Sequence, residues 1–217
     1  MKKILQIINR RGIFNTIRFF YARYRFLLKY RISVSKILSP QEVGVTHPYA
    51  NNYEAISHFS FNRIIRQIDW PWDESTFVDF GCGKGAAILL AEKFNFKRYI
   101  GIELSPQLIG CCLGNIRQYK HDLLPRTNLV IGDAAFYKIS ADANVFYFFN
   151  PFQRPVLESV LQNIKKSLDE FPRKIIILYF NAVDLDLVLD FGYRIILEEK
   201  VDKITLYGFG NYVFTNS

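Results

Sequence analysis

The sequence predicts a doubly wound α/β fold, and three observations predict it. From residue 76 onward, short apolar runs bounded by turn residues alternate with segments of helical periodicity. Runs such as VFYFF (145–149) and IIILYF (175–180) are apolar at consecutive positions, the pattern of strands covered on both faces of a parallel sheet. The first run ends in TFVDFGCGKGAA (76–87), where a strand passes through glycines into a helix, as strands do beside nucleotide-like ligands.

Taken in order, residues 1–38 read as interrupted helix. Ile13, Ile17, Tyr21, Tyr24 and Leu28 form one apolar stripe, and Arg11, Arg18 and Arg25 recur every seven residues. The stretch 39–52, SPQEVGVTHPYANN, is rich in turn residues and reads as a loop. Residues 53–68 predict a helix with Ile56, Phe59, Ile64 and Ile68 inward. Strands are expected at 76–80, 98–102, 128–131, 144–149 and 174–180, with helices at 84–94, 106–119, 155–168 and 183–189 between or after them. Pro106 suits the first turn of its helix. Runs at 193–197 and 204–214 predict an antiparallel pair at the sheet edge. The ligand is expected outside the carboxyl ends of the strands, where their order reverses.

Composition sets bounds on this chain. Its 217 residues suit one α/β domain. The net charge is +8, and ten of the 28 basic residues precede the first acid, Glu42, leaving 18 basic against 20 acidic residues in the rest. The expected division is therefore a basic amphipathic helical extension, 1–45, and a near-neutral ligand-binding domain, 46–217. Three readings suit the extension: docking on the core, lying on an anionic membrane surface, or contacting nucleic acid. Its aliphatic content favours the first two. No secretory h-region or transmembrane-length run is evident, so the expected location is cytoplasmic, with peripheral attachment to the inner face of a membrane as a variant. Cys82, Cys111 and Cys112 have neither disulfide nor metal spacing and read as buried thiols. No metal site is expected.

The glycine turn admits two ligands. Gly81, Gly83 and Ala86 satisfy the dinucleotide spacing, and Lys84 would suit a phosphate. Asp79, two residues before Gly81, argues otherwise: a carboxylate there repels a pyrophosphate and suits a cationic amine without phosphate. S-adenosylmethionine carries such an amine and a sulfonium. Glu103 ends the next strand, where an acid accepts ribose hydroxyls, and Asp133 follows the third, where an acid can accept from an adenine amino group.

With these residues in place, the sequence resembles the class I S-adenosylmethionine-dependent methyltransferases. FVDFGCGKG (77–85) looks like their first motif, GIELS (101–105) like the motif with the ribose-binding acid, and IGDAA (131–135) like the adenine-contacting motif. VFYFFNPF (145–152) falls where the family has its fourth motif. The resemblance covers residues from about 50 to the end. It implies a Rossmann-like sheet of seven strands, mostly parallel with the last antiparallel. It also implies S-adenosylmethionine as cofactor, with Asp79, Gly81, Cys82, Gly83 and Gly85 at the methionine portion. Glu103 and Leu104 would meet the ribose side, Asp133 and Ala134 the adenine, and Asn150 would lie near the methyl group.

Enzymes of the family that act on planar nitrogens often carry N/D-P-P-Y/F at the fourth motif. This chain has Asn150-Pro151-Phe152, with one proline, which makes these three the expected catalytic residues and a nitrogen one expected acceptor. Tyr53, with Tyr49 and His47, lies in the segment before the first motif and is expected to close over the cofactor. Two other functions remain open on sequence alone: a non-catalytic S-adenosylmethionine-binding protein and an NAD-dependent oxidoreductase. The methyl acceptor is not specified by the sequence.

Overall fold

The computed structural model describes residues 21, 38–53, 58–199 and 210–217. The helix expected over residues 1–38 falls outside them, Tyr21 and Leu38 apart. Among the described residues, seven strands form one sheet: β1 (Thr76–Phe80), β2 (Arg98–Glu103), β3 (Thr127–Ile131), β4 (Ala143–Phe149), β5 (Ile176–Phe180), β6 (Arg194–Glu199) and β7 (Asn211–Thr215). Their order is β3-β2-β1-β4-β5-β7-β6. β1 to β5 run parallel, and β7 is antiparallel to both β5 and β6.

Among the described residues, five α-helices accompany the sheet: α1 (His58–Ile65), α2 (Ala86–Ala91), α3 (Pro106–Tyr119), α4 (Arg154–Glu170) and α5 (Leu185–Asp190). Successive strand residues point to opposite faces, which divides the core in two. Phe77, Tyr147 and Phe180 pack with Ile64 of α1, Leu89 of α2 and Ile116 of α3 on one face. Val78, Phe80, Phe146 and Tyr179 pack with Val160 of α4 and Val188 of α5 on the other. β1, β4 and β5 are therefore apolar at almost every position because both of their faces are covered.

Helix boundaries differ from expectation for local reasons. α2 starts at Ala86, not Lys84, because Gly83 and Gly85 hold φ of 52° and 80°, outside helical space. α3 matches its expected span. Ser105 caps it by accepting the Leu108 N–H at 3.2 Å, and Pro106 takes the first turn. The helix expected from Tyr53 is described only over His58–Ile65, and Tyr53 instead forms a β-bridge with Leu38. Residues 54–57 lie outside the described set, as does most of the strand expected from Ile204. The final strand inserts between β5 and β6, an arrangement that hydropathy does not encode. Cys82 and Cys112 are buried, whereas Cys111 is exposed, correcting the expectation of three buried thiols. Its position next to Cys112 turns it to the outer face of α3. No described helix is long and apolar enough to cross a membrane.

Candidate functional site

β1 is flanked by β2 on one side and β4 on the other, so the chain order reverses between β1 and β4. At such a switch point the loops leaving the two strands diverge and open a crevice. The cleft found there is lined from β1–α2 by Gly81, from β2 by Glu103 and Leu104, from the β3 loop by Asp133, and from the β4 loop by Pro151.

The glycine loop is tied to β2: the N–H groups of Gly81 and Cys82 both donate to the Ile102 carbonyl, at 2.8 and 3.0 Å. A Cβ on Gly81 would stand 2.5 Å from Pro151 Cβ, and one on Gly83 would stand 2.3 Å from the Tyr53 ring. Both glycines also have positive φ, so the loop needs glycine for conformation and for close approach. Cys82 fills the space over Gly101, and its thiol is pushed up by its hydrogen bond to Cys112 and by burial. Neither of these two thiols is exposed.

Glu103 is held by backbone donors. One carboxylate oxygen accepts the Gly83 N–H and the other the Ser105 N–H, each at 3.0 Å. Burial raises its pKa, and these N–H groups oppose the rise. Each oxygen retains a free lone pair for a ligand hydroxyl. Asp133 caps the turn after β3, accepting the Ala135 N–H at 2.9 Å, while its second oxygen lies 3.4 Å from His47 Nε2. Ala134 beside it is buried. Leu104 packs at the cleft wall against Val43, Val45 and Leu108.

Asp79 sits deeper than its partners. Only 2% of its surface is exposed, and its carboxylate accepts no hydrogen bond from the described residues. Burial pushes its pKa well up, and the neighbouring Glu103 charge raises it further. The Tyr147 hydroxyl on β4, the strand residue in register with Asp79, is also buried without a partner. An unpaired acid among apolar rings is costly, and a cationic group is what would relieve it.

At the end of β4, Asn150 adopts φ of 45°, which turns the chain sharply out of the strand. Asn51 Nδ2 donates to the Asn150 backbone carbonyl at 3.0 Å and lies 3.4 Å from Asn150 Oδ1. The Asn51 N–H donates to the Pro151 carbonyl at 3.2 Å. Phe152 is buried, edge-on to Phe148 with centroids 6.2 Å apart. Sequence reasoning singled out Tyr53, His47 and Tyr49 in the preceding segment but missed Asn51, whose contact to Asn150 spans 99 positions. The asparagine pair in ANNY was its only local sign.

No protein-family model matches the chain, and no curated protein does. Solved structures do match. An S-adenosylmethionine-dependent methyltransferase from Aquifex aeolicus superposes with a TM-score of 0.56 at 9% identity, over 72% of this chain and 89% of that one. A proposed RNA methyltransferase from Pyrococcus horikoshii gives 0.54 at 12% identity, over 86% and 95%. The mitomycin 7-O-methyltransferase gives 0.53 at 14%, over 73% and 53%.

The fold is that of the S-adenosylmethionine-dependent methyltransferases. The methyltransferase fold accounts for the seven-stranded order and for the antiparallel β7. It does not choose an acceptor, since these neighbours are described as acting on different ones. The residues at the cleft fit the cofactor of that fold. Gly81, Glu103, Leu104 and Asp133 line the cleft, and the buried Asp79 lies at the end of β1 just before the glycine loop. Among the described residues no group of His, Cys, Asp and Glu is arranged to hold a metal.

Proposed function

We propose that this chain is a methyltransferase that uses S-adenosylmethionine. The observation that carries the reading is Asp79: a carboxylate nine-tenths buried, without a hydrogen-bond donor among the described residues, next to a glycine loop. A pyrophosphate at this loop would add negative charge beside the buried Asp79 and the half-buried Glu103, so the NAD-dependent reading is the weaker one. Asp79 would hold the amino group, Glu103 the ribose hydroxyls, and Asp133 with Ala134 the adenine. Gly81 and Leu104 line the cleft, and Cys82, Gly83 and Gly85 would support the methionine portion from the loop.

Bound there, S-adenosylmethionine would supply an electrophilic methyl group on sulfur. The chain's own task is then to align an acceptor and exclude water. Asn150 is the residue proposed to do this. Its left-handed backbone aims both its main-chain carbonyl and its Oδ1 at the Asn51 amide. Two convergent acceptors of this kind suit the hydrogens of a planar nitrogen. Pro151 and Phe152 fix the turn, since Phe152 is anchored in the core.

The test separates binding from transfer. Asn150→Gly removes the side chain and keeps the left-handed backbone accessible. With radiolabelled S-adenosylmethionine and fractionated cell extract, the wild type is expected to label an acceptor fraction. Asn150→Gly is expected to lose at least about tenfold of that labelling while binding S-adenosylhomocysteine as the wild type does. Equal labelling by the variant would remove Asn150 from the mechanism. We further propose that residues 46–217 form the binding domain. The described residues 38–45 pack on it through Val43 and Val45.

A further inference from the structure

The segment Leu38–Tyr53 crosses the mouth of the cleft as a strap whose two ends are pinned together. Leu38 N–H donates to the Tyr53 carbonyl at 3.1 Å, and Tyr53 N–H to the Leu38 carbonyl at 2.8 Å. Its apolar underside is small: Val43 and Val45 pack with Leu108. Ser105 Oγ donates to the Val43 carbonyl at 2.6 Å. Near its far end, Ala50 bridges Phe152, and Gln153 N–H donates to the Tyr49 carbonyl at 2.9 Å.

Three side chains of this strap meet three groups assigned above to ligands. His47 Nε2 faces Asp133. The Asn51 amide, a planar NH₂, sits on the paired carbonyls of Asn150. The Tyr53 ring lies against Gly83, over the backbone where the methionine end would approach, with the Lys84 ammonium 5.4 Å from its centroid. We propose that the strap is an internal competitor, and that Tyr53 in particular occupies the subsite of the cofactor's amino-acid end and must leave before the cofactor seats. This rests on the methyltransferase reading of the cleft.

The closed arrangement is poised to give way. The Tyr53 hydroxyl is buried beside the Lys84 backbone, without a well-formed hydrogen bond. The charge of the buried Asp79 acts on the same hydroxyl. A ligand ammonium would satisfy the acid, and an open strap would return the hydroxyl to water. A ligand that must first displace an internal group binds more weakly by the fraction of protein already open.

The experiment uses two ligands that differ at that end. S-adenosylhomocysteine carries the amino-acid portion and 5′-methylthioadenosine lacks it. By calorimetry, Tyr53→Ala is expected to bind S-adenosylhomocysteine about tenfold more tightly, about 1.4 kcal/mol, and methylthioadenosine within about twofold of wild type. Weaker binding of S-adenosylhomocysteine, or an equal shift for both ligands, would overturn the proposal and make Tyr53 a ligand contact or a structural residue. Hydrogen exchange on the wild type covers a variant that fails to fold. Saturating S-adenosylhomocysteine is expected to speed exchange of the Leu38 and Tyr53 amides, and slowed exchange would overturn the proposal. If neither ligand binds the wild type, the methyltransferase reading itself fails, an outcome distinct from the other two.

Discussion

Asp79 and Glu103 lie on the same face of adjacent parallel strands: Asp79 is in register with Gly101, two residues before Glu103. The Cys82, Ile88 and Leu129 side chains fill the space over Gly101. A buried and a half-buried carboxylate are thus held side by side at the switch point. Burial raises the pKa of both, and Glu103 adds to the rise at Asp79.

The sign of the pH dependence follows. A carboxyl whose folded pKa is raised contributes stability that is complete below its unfolded pKa, about 4, and lost as pH rises through the folded value. The ligand-free protein is expected to lose part of its stability across that window. Asp79→Asn removes the charge and is expected to raise the ligand-free melting temperature at pH 8 by a few degrees, at about 2–4 °C per kcal/mol for a chain this size. The same change is expected to weaken S-adenosylhomocysteine binding at least about tenfold, one unit of 1.4 kcal/mol. Thermal denaturation with and without ligand reads both effects, and a variant that melts lower without ligand would contradict this account.

Glu103→Gln tests the hold on the loop. The carboxylate accepts from Gly83 and Ser105 with separate oxygens, whereas a carboxamide has one acceptor oxygen and a donor. One backbone N–H is left facing an NH₂ group, at a cost of about 1–3 kcal/mol. Ligand affinity is expected to fall, with faster exchange of the Gly83 or Ser105 amide as the structural signature. Unchanged exchange at both amides would show that the carboxylate does not anchor the loop.

Glycines separate by place. Gly85 has φ of 80°, and a Cβ there would stand 2.5 Å from Cys112 Sγ. Gly85→Ala is therefore expected to destabilise by roughly 1–3 kcal/mol. Gly114, inside α3, has open space around its Cβ position. Gly114→Ala is expected to stabilise by about 0.5–1 kcal/mol. Denaturant midpoints compare the two, and effects of the same sign would contradict the assignment of Gly85 to a special backbone.

Much of the fold was legible because apolar runs such as Ile176–Phe180 need cover on both faces, and because Pro106 marks the first turn of α3. The same run of glycines that marked the site also moved the start of α2, since a left-handed Gly85 cannot begin a helix. Strand order past β5 was not legible, because nothing local tells β7 to insert between β5 and β6. At the site, Asp79, Glu103 and Asp133 were visible as acids following successive strands. The strap was not. Tyr53 sits at the start of a helical pattern, yet pairs with Leu38 through backbone groups that carry no sequence signal. Asn51 reaches Asn150 across a distance along the chain that periodicity does not cover. The same holds for Ser105, whose side chain serves both α3 and the strap.

The most direct measurement is calorimetric titration of the whole chain with S-adenosylmethionine, S-adenosylhomocysteine and NAD. The account predicts that both sulfur ligands bind with dissociation constants on the order of micromolar, about −8 kcal/mol, and that NAD does not bind. Binding of NAD alone, or of none of the three, would contradict the role assigned to Asp79 and the methyltransferase reading with it.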